Sequence, residues 1–116
     1  MTSENTVSQT LEEISFQIIL HAGNARSSSM EAIHLAKEGK FTEAGSKIKE
    51  ATDEFLLAHH AQTKLLQKET SGEGQTPTVL LIHAQDHLMT SMTVKEMAQE
   101  FVDLYQRIQL TGGTEG

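Results

Sequence analysis

The sequence predicts an all-α protein, an antiparallel up-down-up three-helix bundle, and three observations carry that prediction. Apolar residues recur at alternating spacings of three and four over nearly the whole chain, the period of a helix that buries one side. The composition is rich in Ala, Leu, Glu, Lys, Gln and Met, with one Pro, one Tyr and no Trp, which favours helix over a sandwich or barrel. Strong punctuation occurs only at Glu38-Gly39 and at Thr70-Ser71-Gly72-Glu73-Gly74-Gln75. Two breaks leave three helices, and short links make sequential helices antiparallel neighbours.

Length and charge narrow the function. A chain of 116 residues has room for one domain and one modest core. A net charge of −7 argues against nucleic acid, which attracts clustered Lys and Arg. No cysteine is present, so thiol chemistry and disulfides are excluded. Residues 1–9 are polar, lack the apolar core of a signal peptide and read as a disordered N-terminus. No apolar run approaches the roughly 20 residues that cross a bilayer. The expectation is a soluble, cytoplasmic protein with its bundle domain at 10–110 and a frayed tail at 111–116.

The first helix begins at Leu11 behind Thr10, a capping residue. Leu11, Ile14, Ile18, Ala22, Ala25, Ser29, Ala32 and Ala36 form its apolar line. A second set, Phe16, Ile19, Leu20, Met30 and Ile33, is expected to widen the buried face. Between them lies a small-sided stretch, His21 to Ser29, where low helix propensity predicts a kink or the close approach of another helix. His21 and Arg26 at its ends could reach an anion, although solvated polar residues are the simpler reading. Gly39 is expected to end the helix in the left-handed conformation.

The second helix opens near Phe41 with Thr42 as the expected cap. Phe41, Ala44, Ile48, Ala51, Phe55, Ala58 and Leu65 share one line, interrupted by the polar Gln62. His59 and His60 resemble a metal pair, but adjacent residues point about 100° apart on a helix. One at an interface and one in solvent is the preferred reading.

Thr76-Pro77 restarts the chain with a cap and a proline at the first helical position, and the third helix follows to about Leu110. Its longest line runs Leu80, His83, His87, Thr90, Val94, Met97, Phe101, Leu104, Ile108, and it is expected to be buried. From Val79 to Met92 this helix is apolar nearly all round, which implies burial on every side. A three-helix bundle cannot supply that, so a closed cyclic oligomer packed through this helix is expected.

The motif at its centre is Ile82-His83-Ala84-Gln85-Asp86-His87-Leu88-Met89. Polar groups on an apolar face are costly unless paired or used, so the chemistry is sought here. The two imidazoles at i and i+4 have metal-ligand spacing, which allows a metal-dependent helical hydrolase or a metal-binding bundle using His83, Asp86 and His87. No third ligand of suitable context is evident. Alternatively, a neutral imidazole nitrogen is a good phosphoryl acceptor. A polar layer that merely fixes helix register is the third reading.

Ile18 to Ser27, the turn Ala36-Lys37-Glu38-Gly39, Ala58-His59 to Gln62-Thr63, and above all His83-Ala84-Gln85-Asp86-His87-Leu88-Met89-Thr90 resemble the lactose/cellobiose class IIA component of the bacterial sugar phosphotransferase system. The resemblance runs from about Glu12 to Arg107. It implies a homotrimer of three-helix bundles in which His83 accepts a phosphoryl group from the phosphocarrier HPr and passes it to the cysteine of a IIB component. His87 would support the site, and the membrane would be involved only through the IIC permease. Asp86 would meet its two symmetry mates on the trimer axis around a metal ion. Three facing carboxylates disfavour their ionised forms, and a hard cation such as Mg2+ relieves that repulsion. The metal is therefore expected to be structural.

Overall fold

The computed structural model describes residues 10–112 and contains three helices: α1 (Leu11–Lys37), α2 (Phe41–Thr70) and α3 (Val79–Gly112). Among the described residues there is no strand. The antiparallel up-down-up order is as expected. Residues 1–9 and 113–116, where disorder is expected, lie outside the described residues. Thr111 and Gly112, expected in that tail, are helical.

Local chemistry sets the helix ends. Thr10 caps α1 in a reciprocal box: Glu13 N–H donates to Thr10 Oγ1 at 3.0 Å, and Thr10 N–H donates to Glu13 Oε1 at 3.0 Å, which satisfies two otherwise orphaned donors. Gly39, at φ +79°, closes α1. Its N–H reaches Ala36 O at 3.0 Å and the Lys40 N–H reaches Leu35 O at 2.9 Å, the paired bonds of a left-handed glycine stop. Gly72, at φ +89°, does the same for α2.

Two expected caps are corrected. Lys40, not Thr42, precedes α2, and no side chain caps it; the glycine stop leaves one linking residue, so the helix restarts before Thr42 is reached. At α3, Thr78 does the capping expected of Thr76, its Oγ1 accepting from Leu81 N–H at 3.0 Å. Thr78 immediately precedes the helix, so its hydroxyl can reach the amide of the third helical residue, the bond a cap makes.

The core has two apolar ends and a narrow waist. At one end Ile14, Ile18, Ala22, Ala58, Ala61, Ala84 and Leu88 cluster, with Ile19, Phe55 and Leu65 packed against them. At the other, Ala32, Ala36, Ala44 and Val102 meet Leu35, Phe41, Ile48 and Tyr105. Between them Ala25, Ser29, Ala51, Ser91 and Ala98 are all fully buried. Small side chains let helix axes approach closely, which explains the small-sided centre of α1; the helix runs through it unbroken. Ser29 Oγ donates to Ala25 O at 2.7 Å, whereas the buried Ser91 Oγ has no partner among the described residues. Helix α1 packs extensively on both neighbours, while the α2–α3 seam is thinner and is crossed by a hydrogen bond from Gln62 Nε2 to Gln85 Oε1.

The buried side of α3 differs from expectation. Its core residues are Ala84, Leu88, Ser91, Ala98 and Val102. On the expected line, His83, Met97, Phe101, Leu104 and Ile108 are exposed within one chain. Likewise Phe16, Leu20 and Met30 of α1 face outward and do not widen the core. The reason is steric: the small waist of α1 accepts the small side of α3, leaving the bulkier apolar side uncovered.

Candidate functional site

The motif histidines sit in the first third of α3, His83 facing outward and His87 at the edge of the seam with α1. His83 is exposed and His87 half-buried. Spaced i and i+4, their rings stack with centroids 5.9 Å apart and planes 18° apart. His87 is tucked toward α1. A Cβ added to Gly23 would lie 3.5 Å from His87 Nε2, with no other atom outside α1 within 4 Å. Thr90, one turn later, returns its hydroxyl to the carbonyls of Asp86 (3.0 Å) and His87 (3.2 Å).

Asp86 is exposed and lies on a different strip of α3, at i+4 from Ile82 and i−3 from Met89. Those two side chains are 60% and 51% exposed, and Val79 beyond them 83%. The carboxylate therefore stands in an uncovered apolar surface. Among the described residues no three His, Cys, Asp or Glu side chains come together as a metal-holding group. The hydrolase reading thus has no three-ligand set among the described residues of one chain.

The remaining polar candidates have other roles. His21 is half-buried, with Nδ1 2.8 Å from Glu54 Oε1 of α2. Asn24 Nδ2 donates to the same oxygen at 3.0 Å. The His21 hydrogen bond, then that of Asn24, holds the Glu54 carboxyl below its ordinary value. His21 is thus tied to an α1–α2 clasp, while Arg26 is exposed. His59 and His60 are both exposed within one chain; His59 stacks on Phe55 at 6.1 Å. Two participants escaped the sequence reading. Glu54 had no signal beyond being one acid among many, whereas Gln62 was visible as the polar gap in the α2 line that bonds Gln85.

Comparison with known proteins identifies the architecture that carries this site. Residues 13–106 match the family model described as the lactose/cellobiose-specific IIA subunit of the phosphotransferase system. The chain is 53% identical over 102 residues to the lichenan-specific phosphotransferase enzyme IIA component of Bacillus subtilis (strain 168), covering 88% of this chain and 93% of that relative. It is 38% identical over 94 residues to the lactose-specific EIIA component of Staphylococcus epidermidis, covering 81% and 90%. Among solved structures, the cellobiose-specific enzyme IIA of Bacillus anthracis superposes with a TM-score of 0.83 at 50% identity, over 90% of this chain and 97% of that one. The chitobiose IIA component of Escherichia coli, solved in complex with HPr, matches with a TM-score of 0.77 at 32% identity, over 88% and 99%. No helix among the described residues is long and apolar enough to cross a membrane. The chain belongs to the lactose/cellobiose-specific IIA family of the sugar phosphotransferase system.

Proposed function

We propose that this phosphotransferase component carries its phosphoryl group on His83, taking it from phosphorylated HPr and passing it to the cysteine of a IIB component during uptake of a β-linked disaccharide of the lactose, cellobiose and chitobiose class. The observation that carries the reading is the exposed His83 ring, held against His87 on an uncovered side of α3. A relay nitrogen must be reachable by two partners in turn, and a ring braced on one face leaves its edge open. In the first step a His83 ring nitrogen attacks phosphorus as the donor's P–N bond breaks. In the second a thiolate attacks, the His83 P–N bond breaks, and the imidazole is regenerated. Such chemistry relies on positioning and on charge stabilisation around the transferred oxygens. The partner assignment draws on the chitobiose IIA–HPr complex of the solved relative.

The same reading makes the working unit a cytoplasmic homotrimer, touching the membrane only through the IIC permease. The uncovered apolar strip Val79, Ile82, Met89, Met97, Leu104 and Ile108 supports a partner along α3. In a threefold assembly Asp86 of each copy would hold a hard cation such as Mg2+ on the axis. The cation would neutralise three carboxylates and take no part in transfer.

Incubation with the HPr phosphodonor chain followed by intact mass measurement tests the assignment. The wild type should gain one phosphoryl group and His83→Gln none, with folding unchanged. His87→Gln should transfer more slowly without losing the acceptor. Full phosphate uptake by His83→Gln would remove His83 from the role.

A further inference from the structure

Gly23 and Gly45 both lie within long helices, where glycine is unfavourable relative to alanine. They differ in what a side chain would meet. Nothing lies within 4 Å of a Cβ built on Gly45, whereas a Cβ on Gly23 would lie 3.5 Å from His87 Nε2 and from no other atom outside its own helix so closely. The two ring carbons bonded to Nε2 are therefore further away. The point lies in front of the nitrogen, where it donates or accepts a hydrogen bond, and not over the ring face. At 3.5 Å a methyl group would make ordinary contact but would fill the place of a hydrogen-bonding partner.

We propose that Gly23 is a positioning residue of the acceptor site: lacking a side chain, it keeps room in front of His87 Nε2 for one oxygen of the phosphoryl group carried by His83. This inference rests on the acceptor reading of His83. An oxygen on phosphorus bonded to one imidazole lies roughly 4 Å from that ring's centre, and an acceptor of the other ring's N–H lies at a similar distance. Rings with centres 5.9 Å apart put one point within the distance that both contacts require. His87 forms no bond to phosphorus; it donates to a charged oxygen, an interaction stronger than a neutral hydrogen bond. Donors already aimed at the transferring group assist without reorganisation. The glycine of α1 thus serves a group on α3.

Steady-state transfer from phosphorylated HPr, measured on four variants of the full chain, tests this. Gly23→Ala should lower kcat at least about tenfold, the lower range for loss of one preorganised donor, with KM for HPr unchanged. Its thermal midpoint should be no lower than that of the wild type, because alanine favours helix. Gly45→Ala should transfer at the wild-type rate. In a His87→Ala background Gly23→Ala should cause no further loss, since coupled residues are non-additive. A wild-type kcat for Gly23→Ala overturns the proposal, as does an undiminished effect without His87. Should Gly23→Ala not fold, the crystal structure of the phosphorylated wild type decides. A phosphoryl oxygen bonded to His87 Nε2 above Gly23 supports the proposal, and none there overturns it. Phosphate uptake by His83→Gln would instead defeat the acceptor reading, so the two failures are distinguishable.

Discussion

Both sides of α3 carry apolar residues, and only one of them is buried within the chain. The inner side, Ala84, Leu88, Ser91, Ala98 and Val102, is at most 5% exposed. The outer side carries Ile82, Met89, Met97, Leu104 and Ile108, each at least half exposed, and around them His83 and Asp86. Three of the five inner residues are Ala or Ser, whereas every apolar residue named on the outer side is large. The waist of α1 offers Ala22, Ala25 and Ser29, so it accepts a partner strip of small residues. The larger side chains, which could bury more area, are left for a second surface. A helix apolar all round therefore buries only one side within the chain, and that intrachain packing falls largely to small residues.

Paired truncations of the two sides sharpen that contrast most. Leu88→Ala should destabilise the fold by about 2–5 kcal/mol, the range for a buried leucine, read by urea denaturation. Leu104→Ala, on the outer side, should leave the fold of the single chain nearly unchanged and weaken self-association in sedimentation. An equal loss of chain stability in both would erase the distinction. Asp86→Leu probes the outer side differently, since it replaces a carboxylate amid uncovered apolar groups. The proposed trimer should be retained or tightened by about 1–4 kcal/mol and should become insensitive to chelators by light scattering. A monomeric or chelator-sensitive Leu variant would remove Asp86 from the axis.

Two smaller effects bound the comparison. Ser91→Ala removes a buried hydroxyl that has no partner among the described residues, so the inner side should gain about 1 kcal/mol in thermal or chemical unfolding. A loss of that size would show that the hydroxyl is satisfied. Glu54→Gln tests the clasp to His21, away from α3. The pair is roughly one-quarter to one-third exposed, so its loss should cost less than about 1 kcal/mol near neutral pH. Because the folded-state carboxyl value lies below the ordinary 4.5, the contribution is present above that value and lost as pH falls through the lower one. Wild-type and Gln stabilities should therefore converge in acid; a gap that persists to low pH would rule out this clasp as its source.

Much of this was legible in the sequence. The lines through Ile14, Ile18 and Ala22 in α1, and through Ala44, Ala51 and Ala58 in α2, are the buried lines, because each of those helices has one dominant apolar side. Thr10 and Gly39 fixed the ends of α1 through local chemistry that needs no tertiary context. The orientation of α3 was not legible, since either of its sides satisfies the helical period and only the volume of the facing α1 residues chooses between them. Motif spacing placed His83 and His87 together, and the structure stacks them. The role of Gly23 depends on how α1 and α3 pass each other, which no local pattern encodes. Thr76 was the cap read from the sequence; Thr78 takes that role because α3 begins at Val79.

Ten of the fourteen buried apolar side chains among the described residues are alanine, and that inverts the usual pattern of mutational tolerance. A core of large residues fails chiefly by truncation, which leaves cavities. Alanine has almost nothing to truncate, so these positions fail by enlargement, which costs typically about 1–3 kcal/mol and shifts backbone. In a library covering all substitutions, Ala22, Ala25, Ala58 and Ala84 should admit Gly or Ser more readily than Val or Leu. Enlargement would also travel outward: helices pushed apart at Ala22 or Ala84 would separate α1 from the rings on α3. Variants could then keep their helicity and still lose the alignment of His83 and His87, so drift in this core would register as altered phosphoryl traffic before it registered as unfolding.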